Sequence, residues 1–113
     1  MRRTLVGDRA EPSAFRHLAE GRQGLDSRIG FRFLSGLMKS LPYSHLVETE
    51  FDPAVGVVLQ FVGHKVTLAG RNLVGLYQSL EDGTVGEIVE QHVNDMACPE
   101  EAPYIDRITW EQR

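Results

Sequence analysis

The feature that most restricts the fold of this chain is a series of turn residues set between apolar, alternating segments in residues 46–71. Leu46 to Phe51 alternates Val47, Thr49 and Phe51 with Leu46, Glu48 and Glu50, the two-residue period of a half-exposed strand. Asp52-Pro53-Ala54-Val55-Gly56 then puts aspartate, proline and glycine where a tight turn uses them. Val57 to Val62 follows as the most apolar run of the chain and predicts a central strand. Gly63-His64 makes a second turn, and Lys65 to Ala69 returns with Val66 and Leu68 on one face. Three short strands joined by two tight turns can only pair antiparallel, because a parallel pair needs a connection of a dozen residues or more.

The flanking segments add helices to this reading. After Gly70-Arg71, Asn72 is placed to cap a helix whose Leu73, Leu76, Tyr77 and Leu80 share one face, and Asp82-Gly83 ends it. Ile29 to Leu41 carries both periods; the spacing of Phe33, Leu34, Leu37, Met38 and Leu41 predicts a helix from about Phe31 to Ser40, broken by Pro42. Thr84 to Val93 fits a helix or a strand, and its β-branched content favours the strand. Tyr104 to Trp110 alternates as a final edge strand, with an acidic loop over 94–103 before it. Near the N-terminus, Ser13 caps a helix of one or two turns that stops at Gly21.

These elements predict an α+β fold: an antiparallel sheet of three to five strands with one or two helices packed on one face. At 113 residues the chain has room for one core. The glycine-bearing polar stretch 21–27 divides it into a flexible basic N-terminal arm with a short helix, residues 1–28, and a single α+β domain, residues 29–113. Charge follows the same division. Residues 1–32 hold seven arginines against four acids, a balance of +3, while residues 33–113 hold five bases against twelve acids, a balance of −7. An acidic body argues against nucleic acid as the partner, since phosphate neutralisation supplies most of that affinity. Only Arg2, Arg3, Arg9, Arg16 and Arg22, with Phe15 to stack on a base, suit that role.

No apolar run approaches the roughly 20 residues of a membrane span, and the apolar stretch after Arg2-Arg3 ends at Asp8 and Arg9, short of an export signal. Cys98 is the single cysteine, which excludes an intrachain disulfide and suits a cytoplasmic protein. His17, His45, His64, His92 and Cys98 have no metal-ligand spacing, so neither metal nor cofactor is expected. Glu100 and Glu101 disfavour a reactive thiolate at Cys98. Glu48 and Glu50 read as a solvated strand face rather than as paired acid/base carboxylates. No nucleophile elbow, phosphate-binding loop or dinucleotide fingerprint is present, so no enzymatic activity is expected.

The sharpest local candidate is Gly70, Arg71 and Asn72, where free N–H groups at a helix start beside a guanidinium suit a small anion. The competing structural reading has Gly70 turning the chain, Asn72 capping the helix and Arg71 pairing with an acid. The stretch Val66-Thr67-Leu68-Ala69-Gly70-Arg71-Asn72-Leu73, with the strand before it, resembles a strand-to-helix pattern of small bacterial α+β proteins over about residues 46–93. That resemblance implies the strand, strand, helix order and no functional residues. The sequence therefore predicts a non-enzymatic protein-interaction or self-associating module, a homo-oligomer or the partner of another protein, in which the basic arm lies on the acidic body. The alternative is a small anionic-ligand-binding domain at Gly70, Arg71 and Asn72.

Overall fold

Turn chemistry and alternation produce the predicted meander, and a second sheet, which the sequence reading did not anticipate, closes over it. The computed structural model describes residues 14–18, 27–91 and 102–113. In chain order these form β1 (Phe15–His17), β2 (Arg28–Arg32), β3 (Met38–Pro42), a 3-10 turn (Tyr43–His45), β4 (Leu46–Asp52), β5 (Gly56–Phe61), β6 (His64–Arg71), α1 (Val74–Glu81), β7 (Val85–Val89) and β8 (Tyr104–Gln112). The strands make two four-stranded sheets, ordered β1-β7-β2-β3 and β4-β5-β6-β8.

This corrects the α+β expectation: the described residues are mostly β, with two sheets and one helix instead of one sheet covered by helices. Two predicted helices are strands. Within the predicted Ser13–Gly21 helix, Phe15–His17 is β1 and pairs antiparallel with β7. The predicted Phe31–Ser40 helix is the end of β2, a turn and the start of β3, with Ile29 opposite Leu41 and Phe31 opposite Lys39. Gly36 is the physical reason. It takes φ +99° between the Phe33 N–H to Leu37 C=O and Gly36 N–H to Phe33 C=O bonds, a left-handed conformation that a helix interior cannot hold. The helical stripe also fails in burial, since Leu34, Leu37 and Met38 are exposed while Ile29 and Phe31 are buried with a strand's alternation.

The meander β4-β5-β6 forms as predicted, and β8 extends it antiparallel on β6. The strand alternative for residues 84–93 holds for Val85–Val89, which lies between β1 and β2 and runs parallel to β2. The acidic loop and the basic arm fall largely outside the described residues. Between the sheets, Ile29 and Phe31 of β2 meet Val57, Leu59 and Phe61 of β5, Val66 and Leu68 of β6 and Ile108 of β8 in one buried cluster. Phe31 sits edge-on to Phe61 and Trp110, with centroids 6.3 and 5.2 Å apart. Helix α1 buries Leu76 and Leu80 and packs on β4 and β7. Its Tyr77 lies against Phe51, and Glu81 accepts a hydrogen bond from Thr49 Oγ1.

Tyr43, buried in the 3-10 turn that leads from β3 to β4, fastens this crossover to β7. Its hydroxyl donates to Val85 C=O at 2.8 Å and accepts from Val85 N–H at 2.9 Å. Burial pushes its pKa up to about 12, and the bond to Val85 opposes that rise in part. A tyrosine whose folded pKa lies above its unfolded value near 10 contributes stability that is intact below pH 10 and is lost as pH rises through 12. Denaturant unfolding at pH 8 and pH 11 is expected to show about 1 kcal/mol of this loss in the wild type. Tyr43→Phe is expected to lack that share while costing about 1–3 kcal/mol at pH 8, because the buried Val85 peptide groups lose their partner. Equal pH dependence in the two proteins would contradict the assignment.

Candidate functional site

Gly70, Arg71 and Asn72 are brought together as predicted, at the end of β6 where the chain turns into α1, but each is used differently. Gly70 lies within β6, not in a turn. A Cβ on it would stand 1.8 Å from the Tyr104 carbonyl oxygen, so only glycine lets β8 approach there. The pairing shifts register between Ala69, opposite Arg107, and Gly70, opposite Ile105, so Asp106 is the extra residue of a bulge in β8 and Arg71 still pairs with Tyr104. Asn72 does not cap the helix. It takes φ 59°, and its Nδ2 donates to the Ala102 carbonyl at 3.1 Å, while the N-cap position is held by Leu73 without a side-chain bond. Arg71 stacks its guanidinium over the Tyr104 ring at 4.8 Å instead of pairing with an acid among the described residues.

A groove of about 370 Å³ opens beside these residues, walled by Phe51, Pro53, Gly56, Leu73 and Val74. It is apolar along one side with a single cation at its rim. Gly70 and Asn72 are thus committed to holding β8 and the 102–104 segment, and Arg71 braces the same strand.

A second cluster, which the sequence reading passed over, forms where the two sheets meet at the end of β8. Lys39 Nζ lies 4.4 Å from the Trp110 ring centre and 5.9 Å from that of Phe33, and His64 contacts Trp110 from another side at 5.4 Å. The register supplies the signal that was missed: Lys39 faces Phe31 across β2 and β3, so it points to the inner face and its stem runs along apolar surface. Next to this cluster, Glu90 binds both sheets. Its backbone N–H donates to Arg32 C=O, while its carboxylate accepts from Leu34 N–H at 2.8 Å and Ile108 N–H at 3.1 Å. Gln91 bonds Ile105 of β8 twice, donating from its backbone N–H and accepting at Oε1.

The described part of the arginine set gives Arg16 to Glu87, which also takes Arg32 at 3.0 Å, so this face of β1, β7 and β2 is partly neutralised. The exposed pairs contribute little to stability. Arg2, Arg3, Arg9, Arg22, His92 and Cys98 lie outside the described residues. His17 bonds Ser79 at 3.3 Å, and the three described histidines stand in three separate elements. Among the described residues no helix is long and apolar enough to cross a membrane. No protein-family model, curated protein or solved structure matches the chain.

Proposed function

We propose that this chain is a non-enzymatic self-associating module, whose contact with a second copy is centred on the turn between β2 and β3. One observation carries the reading: Leu34, Leu37 and Met38 are 54%, 51% and 60% exposed on one five-residue stretch, beside the Phe33, Lys39 and Trp110 cluster. Scattered exposed leucines are ordinary, but three large apolar side chains gathered on one turn, next to half-covered aromatic rings, are a surface that association covers. The turn is also well formed, held by two backbone bonds and by Glu90, so it binds without first being ordered. Less supports the anionic-ligand alternative, because Gly70, Arg71 and Asn72 are engaged in seating β8.

Sedimentation velocity from about 5 to about 500 µM, at low and high salt, tests the proposal. The expected result is a concentration-dependent dimer that persists at high salt, where an apolar contact survives screening, and that Leu34→Ser with Leu37→Ser abolishes. Both side chains are exposed, so the double variant keeps its core and its circular dichroism. A wild-type monomer over the whole range overturns the reading.

A further inference from the structure

The geometry points to the outer edge of β8 as the strand that pairs with a second copy, antiparallel about Thr109; this deepens the self-association reading and rests on it. Each sheet ends in two edge strands, and they differ in what they can accept. β1 has three residues, and β3 ends in Pro42, which has no N–H to offer. β4 carries Glu48, Glu50 and Asp52, so antiparallel self-pairing sets carboxylates against each other. β8 is nine residues long and carries both signs of charge.

The state of its backbone narrows the choice further. Ile108 turns its N–H away from β6 to Glu90, so by strand alternation Trp110 and Gln112 also face outward, while Arg107, Thr109 and Glu111 bond to β6. Glu90 and Gln91 cover this edge only at Ile105 and Ile108. Trp110 and Gln112 present N–H and C=O beyond that cover with no partner strand among the described residues.

Outward groups must meet outward groups, which leaves few registers. Pairing about Trp110 sets Arg107 opposite Arg113, and pairing about Glu111 sets that carboxylate against itself. Pairing about Thr109 sets Arg107 opposite Glu111 twice over, on the exposed face, and Ile108 opposite Trp110 in the hydrogen-bonded position. Trp110 N–H then donates to Ile108 C=O of the other copy, and Ile108 N–H exchanges Glu90 for the Trp110 carbonyl. The same register carries Trp110 of the second copy toward the apolar turn at Leu34, whose N–H stays bonded to Glu90. The β4-β5-β6-β8 sheets of the two copies become one sheet of eight strands. Edge pairing over so few residues buries little area, so the dimer is weak and concentration-dependent.

Charge reversal tests the register. Arg107→Glu alone and Glu111→Arg alone each turn two attractive pairs into two repulsive ones, and each is expected to weaken the homodimer about tenfold or more in sedimentation equilibrium. An equimolar mixture of the two variants is expected to restore wild-type affinity as a heterodimer, because each copy then meets its complement. Misfolding cannot produce that rescue. Weakening without rescue, or no response to either reversal, overturns the β8 register. If the dimer nevertheless still disappears in the Leu34→Ser, Leu37→Ser variant, self-association stands and only this edge is wrong; a monomeric wild type removes both.

Discussion

Alanine at Gly70 is expected to be among the most damaging single-methyl additions in the described chain, costing about 4 kcal/mol or more of a total stability near 5–15 kcal/mol. The added carbon would lie 1.8 Å from the Tyr104 carbonyl oxygen and 2.8 Å from its carbonyl carbon, against backbone that no side-chain rotation can move. Relief requires β8 to withdraw from β6, which breaks the ladder from Gly70 to His64 at its bulged end and uncovers Ile105 and Ile108. For a domain of this size the melting temperature falls by roughly 15–30 °C. Gly75→Ala supplies the control. Nothing lies within 4 Å of a Cβ there, and the position is helical, so the same substitution is expected to be neutral or to stabilise by up to about 1 kcal/mol. Thermal unfolding followed by circular dichroism decides it, and similar shifts for the two variants would refute the close-approach account.

That contrast also shows where sequence reasoning reached and where it stopped. The pairings of β4 with β5 and of β5 with β6 are between neighbours in the chain, and local signals report neighbours: alternation gives the strands, Asp52 to Gly56 and Gly63 give the turns, and the meander follows. Helix α1 was legible for the same reason, as an apolar stripe closed by Asp82-Gly83. The β1-β7-β2-β3 sheet is different. β7 pairs with β1 some 70 residues earlier and with β2 more than 50 residues earlier, and no local period encodes a partner so distant. Its central strand accordingly read as helix or strand with similar support, and β2 with β3 read as a helix because the spacing of Phe33, Leu34, Leu37 and Met38 happens to match 3.6 residues.

At the candidate residues the strand-to-helix junction was legible in the sequence, and the partners of their side chains were not. Gly70, Arg71 and Asn72 do stand at a strand-to-helix junction, yet the reason for the glycine is the passage of β8, a strand 34 residues further on in the chain. Arg71 finds the Tyr104 ring and Asn72 the Ala102 carbonyl by the same route. Likewise Glu90 and Gln91 carried no sequence signal, since their value lies in meeting an edge strand whose place only the tertiary fold determines.

Phe31→Ala is the second large effect, and it probes what joins the sheets. The ring is 1% exposed and stands on β2 between the other sheet's Phe61 and Trp110, touching both edge-on. Truncation removes those contacts and leaves a void that β2, fixed on both sides by β3 and β7, cannot collapse to fill. The expected cost is about 3–5 kcal/mol, with a fall in melting temperature of roughly 12–30 °C. Phe33 meets the same Trp110 at 6.1 Å from a half-buried position on the turn, so Phe33→Ala removes less covered surface and is expected to cost about 1 kcal/mol. Trp110 is the single tryptophan of the chain, so its fluorescence reports both losses directly. In Phe31→Ala the emission is expected to shift to the red before global unfolding, as water reaches the ring from the core side. If the two variants lose equal stability, or if the emission of Phe31→Ala stays at the wild-type wavelength until the sheets separate, the sheets are held together elsewhere, and the Leu41 and Tyr43 end of the cluster becomes the place to look.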